Sequence, residues 1–318
     1  MKKMNSLKLS LVFCSIAALL ACGGGTKDIT LADGNPTPDA FAPVSSKPTT
    51  QGVSNAAGYG DPNVQAAFDI LNGARGRCGF GYWAKSAELE QSAIHHTSYM
   101  ATNNVSGHTE DPALPGFTGR EVRDRAYAAG FDARYDQGEL VGIGGSAQDI
   151  AYRLLSATYH LGGVIGSTQK VGMAAGISGN GTYLLTIDVA DINYLGQHLA
   201  SNTVSTYPCQ GESVATNHAN EIPNPLPDRA AQSYGPPFAL RTRDDQKINV
   251  TSYSIKAGGA PIEVTLLNSE TDGSGQIQPS QAYVIPLSPL TSGVEYTFDA
   301  SGDVGGVPFT THYTTVAR

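Results

Sequence analysis

The chain has 318 residues, more than one hydrophobic core usually organises, so two domains are expected. Its 20 Lys and Arg stand against 28 Asp and Glu, a formal charge of −8 with no basic stripe, which argues against a nucleic-acid partner. Only 15% of residues are charged, while 37 Gly, 18 Pro and 15 Tyr suit an extracytoplasmic protein rich in loops and strands.

The N-terminus sets the expected compartment. Lys2, Lys3 and Lys8 flank the start of an apolar run at residues 9–20 (LSLVFCSIAALL), too short for a stable bilayer span and suited to an export signal. Leu19-Leu20-Ala21-Cys22, followed by Gly23-Gly24-Gly25, fits a lipobox. The expectation is a lipoprotein signal peptide at 1–21, cleavage before Cys22, and acylation there, with palmitate among the chains, so that the protein is anchored to a membrane. A plain signal peptide cut elsewhere is the alternative. Gly23 after the cysteine, rather than an aspartate, points to the outer membrane of a Gram-negative cell. Cleavage removes three lysines and no acid, taking the formal charge from −8 to −11. It also removes Cys14. Cys78 and Cys209 remain, and an oxidising compartment would let them pair; two free thiols are the alternative.

Residues 22–60 are rich in Gly, Pro, Ser, Thr and Asn without an apolar period, and read as a disordered tether. Asp61-Pro62 then opens a helix, with Asp as cap and Pro in the first turn. Val64, Ala67, Phe68, Leu71 and Ala74 recur on one helical face. A second helix starts near Ser86, with Leu89, Ala93, His96, Met100 and Asn103 on its buried face. A third is expected from Thr118 to Ala129, with Thr118 and Glu121 as a capping box and Gly130 as its stop. A fourth runs from Ser146 to about Tyr159. Two strands follow, one through Val171, Met173, Ala175 and Ile177, the other through Tyr183, Leu185, Ile187 and Val189. Helices followed by strands imply an α+β domain over 61–198.

Beyond it the pattern changes. Residues 199–235, with Pro223, Pro225 and Pro227, read as a linker. Short alternating runs between 236 and 318, such as Ile262/Val264/Leu266 and Val294/Tyr296/Phe298, are separated by Gly- and Ser-rich turns and suggest a β-sandwich.

Three segments of the first domain carry polar residues that a fold does not need: Ser106-Gly107-His108-Thr109-Glu110, Gly138-Glu139-Leu140, and Ser156 to His160. Two histidines and a carboxylate suit a zinc ion or an acid–base pair. A histidine at a helix end also serves the helix dipole. His96, on the apolar face beside Leu89 and Met100, reads as a satisfied core histidine, and Trp83 with Tyr82 as core packing. His198, His218 and His312 have no partner evident in the sequence.

The order of these features resembles the CAP superfamily, named for cysteine-rich secretory proteins, antigen 5 and pathogenesis-related 1, and in particular its bacterial SCP-like branch. The resemblance rests on Asn72-Gly73-Ala74-Arg75 with Gly79, His96 with Met100, Ser106-Gly107-His108, Asp124-Arg125-Ala126 with Gly130-Phe131, Gly138-Glu139-Leu140, Ser156 to His160, and Val171-Gly172-Met173. It implies an α-β-α sandwich with a cleft lined by two His and two Glu. His108, Glu139 and His160 take three of these positions. The fourth falls near Ala157, Leu140 stands where an Asn is expected, and no Trp precedes His160. Glu110 is the candidate replacement carboxylate. The second domain resembles bacterial immunoglobulin-like modules through residues 290–298 and 302–309.

The resulting expectation is a cell-envelope protein that binds a lipid, glycan or peptide in a cleft formed by His108, Glu139, His160 and Glu110. Two alternatives remain open: a zinc-type hydrolase using His108, Glu139 and His160, and a structural or adhesion protein acting through its sandwich. No Gly-x-Ser-x-Gly or His-Glu-x-x-His pattern supports a standard hydrolase, and no catalytic residue is assigned.

Overall fold

A computed structural model describes residues 58–132, 137–191 and 199–318. The expected signal peptide, Cys22, the tether up to residue 57 and His198 lie outside the described residues.

Helix α1 (Pro62–Arg77) begins as the sequence dictates: the Asp61 carboxylate accepts the Asn63 N–H at 2.8 Å, and Val64, Ala67, Phe68, Leu71 and Ala74 are buried. In α2 (Ala87–Asn103) the Ser86 hydroxyl accepts the Leu89 N–H, and Asn104 ends the helix in the left-handed region at φ 53°. Strands β1 (Ala84–Lys85), β2 (Gln137–Gly144), β3 (Lys170–Ile177) and β4 (Tyr183–Ala190) form a sheet in the order β1-β3-β4-β2, antiparallel except for the β1–β3 pair.

Strand alternation divides this sheet into two chemically different faces. On β2, Gly142 and Gly144 lie against Ile150 and Asp149 of α4 (Ala147–Ser156), and Leu140 lies against Gly163 of α5 (Thr158–Val164). The intervening Glu139 faces α3 (Val122–Ala128), where it meets Arg125. Gly172 on β3 brings the sheet so close to α2 that a Cβ would sit 2.0 Å from the Glu90 nitrogen. Helices α2 and α3 therefore cover one face and α1, α4 and α5 the other, giving α-β-α layering within an α+β fold.

The helical layer of α1, α4 and α5 has sheet on both sides. A second sheet, ordered β10-β11-β7-β5, combines Val264–Asn268, Gln281–Pro286, Phe238–Arg241 and Ser205–Tyr207. Its residues Tyr283, Ile285, Ala239 and Leu267 share a core with Leu71, Leu154 and Leu161. The alternate residues Ala282, Val284, Phe238 and Leu240 pack with Phe298 and Tyr313 of a third sheet. That sheet is ordered β6-β13-β12-β8-β9, from Ser213–Val214, Val307–Ala317, Glu295–Val304, Ile248–Ala257 and Ala260–Pro261.

Three expectations change, and one strand is added. Residues 199–235 are not a bare linker: they supply β5 and β6, and Cys209 within them is bonded to Cys78 with Cα atoms 5.4 Å apart. Thr118 does not cap α3, because its N–H and hydroxyl are both given to Glu110; the helix starts after Glu121, whose N–H bonds Asp124. The fourth helix breaks at Ala157, whose extended backbone (φ −103°, ψ 129°) separates α4 from α5 and puts His160 in a new helix. Finally, β2 forms where the glycine run gave no alternating apolar pattern, because its glycines admit α4.

Arg75 joins the layers. Fully buried on α1, it donates to the carbonyls of Phe80, Gly81, Val164, Gly166 and Thr168 at 2.5–3.1 Å and lies over the Trp83 ring. Burial lowers its pKa to about 9, which leaves it charged at neutral pH.

Two stability changes follow. Replacing both Cys78 and Cys209 by Ser frees a loop of sequence separation 131 and should lower unfolding free energy by about 2–4 kcal/mol in urea titrations. Gly172→Ala, which drives a methyl into the α2 backbone, should cost about 1–3 kcal/mol in the same assay.

Candidate functional site

Glu139 is the centre of a polar cluster enclosed between α2, α3 and the first sheet. Its Oε1 is 3.0 Å from His108 Nδ1 and its Oε2 is 2.6 Å from Arg125 Nη2. The His96 Nε2 atom is 3.7 Å away. Arg125 and His96 are wholly buried, while the His108 ring is 41% exposed. Burial would raise the Glu139 pKa, but the His108 hydrogen bond and the Arg125 charge outweigh it and hold the carboxyl below the usual range. An ionised Glu139 accepts from Nδ1, which leaves the Nε2 atom of a half-exposed imidazole for solvent or a ligand.

Glu110 is the second carboxylate. It is 2% exposed and anchors the loop by accepting from Thr118 N–H at 2.6 Å, the Thr118 hydroxyl, Gly119 N–H and His96 Nδ1 at 2.9 Å. The other nitrogen of His96 bonds the Gly107 carbonyl at 2.8 Å. His96 is thus the satisfied core histidine expected, and it ties both carboxylates of the cluster together.

Beside this cluster opens a cleft of about 460 Å³ whose lining includes Tyr99, Met100, Val105, Ser106, Thr109, Glu110, Asp111, Pro112, Leu114 and Arg120. Residues 105–111 serve both places: Gly107, His108 and Glu110 hold the polar cluster, and their neighbours line the cleft. Val105, Leu114 and the adjacent Phe117 are partly exposed, and Arg120 is exposed at the rim.

His160 belongs elsewhere. Its Nδ1 is 2.9 Å from Glu221 Oε2, and Glu221 also accepts the N–H groups of Tyr159 and His160 and meets His218 Nε2 at 3.2 Å. His218 reaches the Thr158 hydroxyl and packs on Tyr234. This second cluster ties α5 to residues 218–221. Burial again raises the Glu221 pKa, and the two histidine hydrogen bonds more than reverse it, so the carboxyl is held low.

No protein-family profile matches the chain, and no curated protein does. Three solved chains do. An outer surface protein from Borrelia burgdorferi is 14% identical, over 41% of this chain and 92% of that one, with a TM-score of 0.35. An extracellular protein containing a SCP domain from Bacillus anthracis str. Ames is 21% identical, over 41% of this chain, with a TM-score of 0.34. This chain spans 40% of that protein's length. Among the described residues, no helix is long and apolar enough to cross a membrane.

His108 and His160 lie in separate clusters. His108 and His160 have different carboxylate partners, and among the described residues no three His, Cys, Asp or Glu side chains are grouped to hold a metal. The residues present do not fit the ion as a shared set of ligands, because the two histidines and their carboxylates do not converge on one point among the described residues. Sequence reasoning also missed Asp188, Arg125 as the partner of Glu139, and the pair Glu221 and His218. Asp188 left a signal: it is the one acid in the apolar strand YLLTIDVA. Glu221, in a proline-rich stretch, left none.

Glu139 and Glu221 both have lowered pKa values in the fold, so their stabilisation is complete above the ordinary carboxylate value near 4.3 and is lost as pH falls through the lowered values. Glu221→Gln should therefore cost about 1–3 kcal/mol at pH 7 and less once pH falls below the ordinary carboxylate value, measured by urea denaturation at pH 7 and at the lowest pH the fold tolerates. An equal cost at the two pH values would refute the ionic account of this cluster.

Proposed function

We propose that this chain is an exported, lipid-anchored cell-envelope protein whose first domain is a CAP domain that captures an amphiphilic ligand beside His108 and Glu139. The observation that carries this reading is the continuity between the cleft and the Glu139 cluster through residues 105–111. The cleft offers an apolar wall of Met100, Val105, Pro112 and Leu114, hydroxyls from Ser106 and Thr109, and a cation, Arg120, at the rim, while its two carboxylates, Glu110 and Asp111, accept from backbone N–H groups of the loop. That combination favours a ligand with an apolar body and an anionic end, a lipid rather than a glycan or peptide. The half-exposed His108, oriented by an ionised carboxylate, adds a donor or acceptor for the polar end.

Membership of the CAP superfamily is supported by the roles its matched residues take in this chain. Asn72 and Arg75 both hold the turn at 80–83, Gly172 admits α2 against the sheet, and Glu139 pairs with His108. The anchor at Cys22 and the immunoglobulin-like character of the sandwich belong to the same proposal.

The test is direct titration of a fluorescent fatty-acid analogue into the purified protein, with palmitate, an oligosaccharide and an unstructured peptide as competitors. Saturable binding displaced by palmitate alone is expected. Arg120→Glu, which reverses the charge at the rim, should weaken it at least about tenfold, and His108→Ala by about three- to tenfold. Displacement by the oligosaccharide or peptide instead would move the ligand to those classes, and no saturable binding of any would reject the cleft as a binding site.

A further inference from the structure

Behind Glu139, on the side away from His108, lies a group the ligand reading does not use. Asp188 on β4 is directly opposite Glu139 in the β2–β4 register, so the two side chains emerge side by side on the same face of the sheet. Asp188 is 0% exposed and neither of its oxygens has a hydrogen-bond partner in the fold; the hydroxyl of Ser92, also 0% exposed, faces it from α2 and is likewise unpartnered. Buried polar atoms are rarely left so, and three together call for an explanation.

Charge balance supplies it. The charged and titratable groups facing this space are His96 from α2, His108 and Glu110 from the loop, Arg125 from α3, Glu139 from β2 and Asp188 itself. Every contact Glu110 makes is with a donor, as suits a carboxylate. The Gly107 carbonyl can only accept, so His96 Nε2 donates to it, while Nδ1 faces Glu110. Among these groups Arg125 is the fixed cation, and Glu110 and Glu139 already face it. An ionised Asp188 would be a third anion without a counter-ion, fully desolvated and beside Glu139.

We propose that Asp188 is a neutral carboxylic acid that accepts from the Ser92 hydroxyl and donates to Glu139, and that it is the positioning residue which keeps Glu139 ionised and aimed at His108. This one assignment satisfies the Ser92 oxygen and both Asp188 oxygens. Burial, followed by the charge of Glu139, pushes the Asp188 carboxyl well above its ordinary range, in the same direction. The inference rests on the proposed role of the His108–Glu139 pair beside the cleft and extends it inward by two residues.

The experiment is NMR on the purified protein, following ¹³C-carboxyl signals of aspartate and ¹⁵N signals of histidine against pH, with the Asp188 signal assigned by its loss in Asp188→Asn. The expected result is an Asp188 signal at the carboxylic-acid position at pH 7. The His108 titration midpoint should move by less than about 0.3 units in Asp188→Asn, which keeps a neutral donor. It should rise by roughly half to one unit in Asp188→Val, which cannot donate and leaves Glu139 a stronger base. A carboxylate signal at pH 7, with a His108 midpoint lowered by about one unit or more in Asp188→Asn as a negative charge is removed, would overturn the proposal. If Asp188→Val does not fold, the Asp188→Asn spectra decide alone. Fatty-acid binding is measured on the same samples: its absence in the unaltered protein rejects the ligand reading while leaving the protonation of Asp188 to be judged from the spectra.

Discussion

The buried guanidinium of Arg75 is the constraint on which the layering depends. A desolvated cation needs its full set of acceptors, and five carbonyls from two chain segments provide them. One segment is the turn at 80–81, which leads into β1; the other is the connection at 164–168 between α5 and β3. Because an unpaired donor there is expensive, these segments cannot drift apart without exposing Arg75 to unsatisfied burial. The β1–β3 pairing, the stacking of Trp83 and the seat of α5 are consequences of that one satisfied side chain.

From that seat the second domain is fixed. Sheet β10-β11-β7-β5 is apolar on both faces, giving Tyr283 and Ile285 to the helices and Ala282 and Val284 to the outer sheet. A strand buried on both faces reads as a continuous apolar run, which β11 is. The sandwich therefore shares a core with the helical layer, and the disulfide, the Arg77–Glu212 ion pair and the His160–Glu221–His218 cluster reinforce the same seam. It is built into the hydrophobic core of the helical layer.

Much of this was legible. The caps of α1 and α2 and the alternating runs of β3 and β4 follow from local rules, because local geometry decides them. The pairing of Cys78 with Cys209 followed from elimination of the other cysteines. What sequence could not give were partners distant along the chain. Glu139 and Arg125 were both visible as polar residues in plausible places, yet their contact depends on β2 presenting its odd-numbered side chains to α3. The strand itself was obscured by Gly142 and Gly144, which are small because α4 presses on them and not because the chain turns there. Thr118 looked like a cap until Glu110, eight residues away, claimed both of its donors. His160 matched by position along the chain, but the break at Ala157 and the reach of Glu221 gave it a different carboxylate.

The division of β2 into two faces explains why the expected four-residue cleft is not assembled from the expected residues. Glu139 and Leu140 are neighbours in sequence and point to opposite sides of a sheet. On the Glu139 side, Glu110 is hydrogen-bonded to His96 and Glu139 to Arg125 and His108, and longer charge contacts of 3.7 Å (His96–Glu139) and 3.9 Å (Arg125–Glu110) link the two carboxylates, with His108 as the exposed member. On the Leu140 side, α5 carries His160 into the seam with residues 218–221. A chain that lacks a carboxylate near position 157 has one at Glu110, but in a different role: it organises the loop that lines the cleft, and its oxygens are occupied by donors from that loop. Of the two histidines in this cluster, His108 is the half-exposed one, and the bond from its Nδ1 to Glu139 fixes which way its free edge turns.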